Sequence, residues 1–271
     1  WKTTNPDGEI ISHASQLYYV ASRFLLPAAL VLMTLSIDLK AIFNLGSKAL
    51  IMFFTGTIGI VIGGPIAILL ISFFSPETVG GSDFDAVWRG LSTLAGSWIG
   101  GGANQTAMLE IYKYNPAKYG GMVIVDIVVA NVWMAILLIG IGKKDSINKW
   151  LKADTIAIEE LKDKVISFTQ KVKKNPTLSD FMIMLAIAFG TVGFGHFSAK
   201  YLSLFFSEIV AAINSQTLRN VFSFLGSSFF WLISISTIIA ILLSYTKAKN
   251  YEGAGASKLG SIFIYILVAT I

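Results

Sequence analysis

The sequence predicts an all-α protein: a polytopic transmembrane helical bundle with inverted repeats and a Gly-rich broken helix or re-entrant hairpin. Three observations carry the prediction. The 271 residues are 54% hydrophobic and only 14% charged, against about 25% charged in a soluble domain, and mean hydropathy is +0.68. Apolar runs of the roughly 20 residues that cross a bilayer core recur along the chain. One membrane-length segment is interrupted by Gly100, Gly101 and Gly102. With no cysteine, disulfide scaffolds and cysteine-ligated metal sites are excluded, and two distant histidines, His13 and His196, leave little for a zinc or haem centre. The net charge of +5 reflects lysines beside apolar runs, the positive-inside pattern, and not affinity for nucleic acid.

The first run extends from about Gln16 to Ile37, holds Pro27 and ends at Asp38. The second, Ser47 to Phe74, carries Gly56, Gly59, Gly63, Gly64 and Pro65, small residues that let helices approach closely in lipid. Ser75-Pro76 and Gly80-Gly81 close it, and the acids Glu77, Asp83 and Asp85 precede the Gly-rich segment. Tyr119 to Gly142 is a strong span that contains Asp126 and Asn131. Residues 143–178 differ in kind, with nine lysines and five acids between Lys143 and Lys174. Ile147, Trp150, Leu151, Ile158, Leu161, Val165 and Phe168 recur there at helical spacing, which predicts an amphipathic linker lying outside the membrane. Beyond it, Phe181 to Phe197 reads as one apolar segment, Tyr201 to Ile213 as a short interfacial one with Lys200 and Glu208 nearby, and Val221 to Tyr245 as a span. The last run begins at Leu259 and is still apolar at Ile271. The start at Trp1 and this end give the expectation of an excerpt, about two-thirds of a longer protein. Residues 1–142 are then a first membrane repeat, 143–178 a cytoplasmic linker and 179–271 the start of a second repeat.

Residues 21–40, ASRFLLPAALVLMTLSIDLK, and 255–271, GASKLGSIFIYILVATI, open alike on small residues, a serine and a base, and continue as aliphatic helices of matching phase. Inverted repeats need an odd number of crossings between such helices. Six steps separate the two, so one segment must fail to cross: the Gly-rich segment is the best candidate, and a non-spanning helix near Phe181 is the alternative. Fourteen of the 21 basic residues then share the face of residues 143–178, which makes that face cytoplasmic, in the inner (plasma) membrane.

Glycines open a helical backbone, and open backbone at membrane depth belongs beside protein or a water-filled cavity. Ser97, Gly100, Gly101, Gly102, Asn104, Gln105 and Thr106 therefore form a candidate substrate- or ion-binding stretch. Carbonyls there can meet a cation, and the helix restarting near Ala103 can meet an anion. Asp126, an ionisable group inside a span, marks an ion path by default. Asn131, five residues on, lies roughly 140° away around the helix. Asp126 can coordinate Na⁺ when ionised, with Asn104 as a further ligand, or carry a proton when neutral, so Na⁺ and H⁺ both stand as coupling ions and no other cofactor is expected. Asp38 at a helix end and Glu110 near the segment's exit are weaker candidates, and His196, beside Gly193 and Gly195, reads as a packed or interfacial histidine. Phosphate loops, nucleophile elbows and zinc-helix signatures are absent from the sequence, so no enzymatic activity is expected. The partners expected are the lipid bilayer, a small-molecule solute and a second copy of the chain in a homodimer.

At SRFLLPAALVLMTLSIDLK, GSWIGGGANQTAMLE and YEGAGASKLGSIFIYILVATI the sequence resembles the YjcL-like family of bacterial membrane proteins, whose function is unassigned. That family is similar to the superfamily of sodium/proton antiporters, bile-acid and sodium symporters, and glutamate and citrate sodium symporters. The resemblance implies inverted repeats with a broken helix or hairpin at Gly100 to Asn104, and Asp126 on the helix where antiporters keep a carboxylate. One Asp stands where an Asn-Asp or Asp-Asp pair is usual. The functional expectation is a secondary active transporter of a small polar or anionic solute, coupled to Na⁺ or H⁺. Its alternative is a non-transporting membrane scaffold or accessory subunit.

Overall fold

In an apolar slab each backbone polar group must bond within its own segment, so long apolar runs become helices. The computed structural model describes residues 2–4, 10–12, 16–35, 37, 47–81, 83–151, 163, 166, 167, 170 and 173–270. Helix α1 is Leu17–Thr34, α2 Ser47–Phe74 and α3 Pro76–Val79. The Gly-rich segment gives α4, Val87–Gly100, and α5, Gly102–Ile111. Helix α6 is Pro116–Ile141 and α7 Lys144–Leu151. Then come α8, Leu178–Ala211, α9, Gln216–Phe222, α10, Ser228–Ser244, and α11, Ala256–Val268. Among the described residues four helices (α1, α2, α6, α8) are long and apolar enough to cross a membrane, or five if α10 and its continuation count as one. This is a helical membrane protein by length and composition.

The chain departs from the sequence expectation in three places. A small antiparallel hairpin joins β1, Lys2–Thr4, to β2, Ile10–Ser12, with Thr3 opposite Ile11. The signal in the sequence was the run Asn5-Pro6-Asp7-Gly8, residue types that disfavour a helix there. Second, the expected break between Phe197 and Tyr201 does not exist, because α8 runs unbroken for 34 residues, about 51 Å at 1.5 Å per residue. Lys200 and Glu208 sit exposed on its surface, so the backbone ladder continues past them. Its start is fixed by a capping box, in which the Asp180 N–H donates to Thr177 Oγ1 at 3.2 Å and the Thr177 N–H donates to Asp180 at 2.9 Å. Third, the span expected from Val221 begins only at Ser228, where the Ser227 hydroxyl accepts from the Phe230 N–H at 3.4 Å. Helix α10 then bends by 95° into a 3₁₀ segment, Lys247–Ala254. Of the expected linker helix, α7 is described; Ile158, Leu161, Val165 and Phe168 lie outside the described residues, as do Asp38 and His13.

The core is shared by α1, α5, α8, α10 and α11, where Leu26, Leu32, Met184, Leu232 and Leu267 are buried. It thus draws on residues from both sides of the 143–178 segment. Glycines set the approaches. A Cβ on Gly260 would lie 3.0 Å from the Ala29 carbonyl oxygen, and one on Gly195 would lie 2.8 Å from Ser236 Oγ. Helices α2 and α6 instead turn their apolar side chains outward, as at Ile51, Phe53, Leu69, Ile136 and Leu138. Those are the surfaces that lipid would cover.

Helix α1 contains a π-helical turn, Ala21–Leu25. In an α-helical ladder the Arg23 carbonyl would take its hydrogen bond from residue 27, and Pro27 has no N–H to give. His196 Nε2 lies 3.0 Å from that carbonyl, and since a carbonyl only accepts, Nε2 carries the proton. The histidine packs, its ring centroid 4.9 Å from that of Phe24. Replacing His196 by Leu leaves the carbonyl unpaired and should cost about 1–3 kcal/mol, whereas His196→Gln retains a donor and should recover part of it. Thermal unfolding of the two purified variants in one detergent reads the difference; equal losses would separate the histidine from this role.

Candidate functional site

Helices α4 and α5 form a hairpin. Gly101, between them, has φ 83° and ψ −175°, a combination open essentially to glycine alone. Gly100 still ends α4 and Gly102 already begins α5, so one of the three glycines makes the reversal. Gly100 has a different reason, because the Asn104 side chain occupies the space its Cβ would need. A Cβ on Gly96 would stand 2.7 Å from Met108 Cγ and 2.9 Å from the Asn104 carbonyl oxygen, so the arms touch through it.

The two ends of the hairpin meet at its mouth. The Asn115 N–H donates to the Phe84 carbonyl at 3.0 Å, and Arg89 donates to the carbonyls of Asp83, at 3.0 Å, and Tyr112. Asn115 Nδ2 donates to Asp85 at 2.7 Å, and Lys118 Nζ stands 2.9 Å from the same carboxylate. The Lys118 hydrogen bond, then that of Asn115, holds the Asp85 carboxyl below its ordinary pKa of 3.8. Helix α5 ends with Lys113 left-handed at φ 53° and the Tyr114 N–H returning to the Leu109 carbonyl at 3.1 Å, the Schellman pattern in which glycine is usual.

At the tip, Asp126 of α6 accepts from both residues that precede the turn region. Ser97 Oγ donates to one carboxylate oxygen and Trp98 Nε1 to the other, each at 2.7 Å. Helix α6 meets α4 at Gly90, where a Cβ would stand 2.9 Å from Met122 Sδ, so the flexible Met122 side chain would have to turn aside for a larger residue. Thr106 is buried and donates to the Gly102 carbonyl at 2.9 Å. Gln105 is 6% exposed, and its side-chain nitrogen has no hydrogen-bond partner. The structure thus groups Ser97, Gly100, Gly101, Gly102, Asn104, Gln105, Thr106 and Asp126 around one turn. Asn104 and Asp126 make no hydrogen bond to each other, and Asn131 turns back on its own helix, donating to the Ile127 carbonyl at 2.7 Å.

Sequence reasoning passed over Trp98, which could have been found as the donor next to Ser97. It also passed over the partner of Glu110. Arg23 Nη1 stands 2.6 Å from Glu110 Oε2, and the Tyr18 hydroxyl donates to the other oxygen. A lone arginine inside the first apolar run was the signal, by the same rule that singled out Asp126.

The family described as "Protein of unknown function (DUF819)" matches residues 7–271, and the chain belongs to it. No curated protein matches the chain, and no solved structure does.

Two outcomes follow from the hairpin. Gly101→Ala should destabilise by about 1–3 kcal/mol through its backbone conformation, while Gly102→Ala, helical and with open space at its Cβ, should be neutral or mildly stabilising; unfolding temperatures compare them. At the mouth, a carboxyl lowered in the folded state adds stability that is full above the ordinary value of 3.8 and is lost as pH falls through the lower folded value. Acid unfolding of Asp85→Asn should therefore show a shallower loss than wild type in that window.

Proposed function

We propose that this DUF819 protein is a secondary active transporter of a small polar or anionic solute, coupled to Na⁺ or H⁺, with alternating access at the hairpin tip. The observation that carries the reading is the placing of an ionisable side chain, Asp126, against a helix reversal in the middle of an otherwise apolar helix. The arms of α4 and α5, 14 and 10 residues, are about 21 and 15 Å long at 1.5 Å per residue. In a core of about 30 Å the tip would stand near the midplane, and Asp126, ten residues after Pro116, would lie about 15 Å into its helix. The hairpin would enter and leave on one side, a re-entrant element.

A re-entrant hairpin would give the chain directions that inverted repeats need. If the hairpin does not cross, α1, α2, α6, α8, α10 and α11 alternate in direction, and α11 runs opposite to α1. Helix α11 meets α1 closely at Gly260, beside Ala29 and Met33, so the two would-be repeat helices are neighbours. Residues 143–178 then lie on the face opposite the hairpin mouth, which the lysine bias would make cytoplasmic, in the inner (plasma) membrane. The bilayer covers the outward faces of α2 and α6. Among the described residues no three His, Asp or Glu side chains converge. A cation here would be monovalent, held by the Asp126 carboxylate, the Ser97 hydroxyl and the carbonyls bared at the turn. The buried, unpartnered Gln105 nitrogen would supply a donor to an anionic or polar solute if that solute reaches it from the tip.

One observation favours the second reading, a non-transporting membrane scaffold or accessory subunit: both Asp126 oxygens already have donors. The two readings part on linkage. A ligand that binds only the folded state at 100 times its Kd stabilises it by about 2.7 kcal/mol. Under the transporter reading with Na⁺, the unfolding temperature should rise with Na⁺ at constant ionic strength, and Asp126→Asn should abolish the rise. Under proton coupling the dependence moves to pH and again disappears in Asp126→Asn. Absence of both dependences in the wild type would overturn the transporter site.

A further inference from the structure

We infer that the protein has a second binding site, at the hairpin mouth, for a small organic carboxylate with a flat apolar body, and that Glu110 occupies its arginine when the site is empty. The inference stands on the geometry around Arg23 and holds whether or not Asp126 takes a coupling ion.

A cavity of about 640 Å³ opens at the mouth, and Arg23, Glu110 and Lys113 line it together with the aromatic rings of Tyr18, Phe84 and Phe229. That volume lies within the roughly 300–1,000 Å³ of small-molecule sites. A second cavity of about 250 Å³ lies on the other side of Arg23 and Phe229, with His196 and Lys200 in its lining. Arg23 is therefore the wall that both cavities share. Its guanidinium carbon sits 4.5 Å from the Phe229 ring centroid, a cation–π contact that holds the charge at the cavity wall.

Charge points to the ligand class. Three permanent cations, Arg23, Lys113 and Lys200, face the cavities, and Glu110 is the carboxylate among the lining residues. The guanidinium spends a single nitrogen, Nη1, on Glu110 and on Ser22 Oγ, at 2.6 and 3.3 Å; its Nη2 and Nε have no hydrogen bond among the described residues. Lys113 and Lys200 have no ion-pair partner among the described residues. A bound carboxylate can take the two unspent guanidinium donors, and aromatic walls suit an apolar body with a charged end. Glu110 differs from such a ligand only in being tethered, with the Tyr18 hydroxyl ready to keep it when Arg23 turns away. It acts as a placeholder and a competitor.

The probes are benzoate and benzamide, matched in shape and different in charge, added to the purified full chain in a neutral detergent. Benzoate should raise the unfolding temperature saturably, and benzamide should not. Arg23→Gln should weaken benzoate about tenfold or more, the effect of losing one charge-assisted hydrogen bond. Glu110→Gln should do the opposite and tighten it severalfold, because the competitor is gone. Asp126→Asn should leave benzoate binding as in wild type, so that loss of the ion dependence and loss of this site are read separately. Equal stabilisation by benzamide, wild-type affinity in Arg23→Gln, or weaker binding in Glu110→Gln would each overturn the site. If Arg23→Gln does not fold, Glu110→Gln and Lys113→Gln decide it, since both residues line the mouth cavity and the site requires their effects to have opposite signs.

Discussion

The reversal at Gly101 is the constraint on which the other polar arrangements depend. A chain that turns back on itself inside an apolar assembly must bring its two ends together, and the hydrogen bonds among Phe84, Arg89, Tyr112 and Asn115 do so. The same reversal presents one arm to each side of the molecule. Helix α5 turns Ala103 and Ala107 into the main core, while α4 carries Ser97 and Trp98 to Asp126 on α6. Without the backbone conformation at Gly101, neither Glu110 nor Asp126 would meet its partners.

Those partners explain how charged groups are tolerated in this sequence. Burying an ion costs several kcal/mol unless a counter-charge and hydrogen bonds offset it. Arg23 finds Glu110, Asp126 finds a hydroxyl and an indole, and the carbonyl that Pro27 leaves open finds His196. Each of the first two pairs joins the hairpin to a different neighbour. Motion of the hairpin relative to α1 or α6 would break one of them, and a solute or ion able to replace the lost partner would lower the cost of that motion. The proposed carboxylate site at Arg23 and cation site at Asp126 would supply such replacements.

Much of this was legible in the sequence. Apolar run length gave the membrane class and most helices, and the glycine cluster marked the reversal, because only a few residue types relieve or tolerate a positive φ. The tether of Asp126 to Ser97 was half visible. What could not be read was pairwise. Composition does not say that the Asn104 side chain folds over Gly100, or that Asn131 bonds its own helix at Ile127 and leaves the site. Lys200 and Glu208 suggested an interruption of α8, yet an exposed long charged side chain on a 34-residue helix can reach polar surroundings without disturbing the backbone. The late start of α10 turned on Ser227 acting as a cap, and a Gly-Ser pair in an apolar run carries both meanings until the helix is seen.

The chemistry of the Asp126 contacts also determines what its charge does apart from its shape. An ionised carboxylate offers about four acceptor positions, and Ser97 and Trp98 use one on each oxygen, which leaves acceptor capacity for a cation. The indole N–H can only donate, whereas the serine hydroxyl can donate or accept by rotating its proton. An asparagine at position 126 can therefore keep both contacts, its oxygen accepting from Trp98 and its amide donating to Ser97. The reverse placing of the amide would set two donors against each other, so the orientation is fixed. Removing the charge thus leaves the hairpin tethered, and any dependence on a cation that disappears with it is owed to the charge and not to a loosened tip.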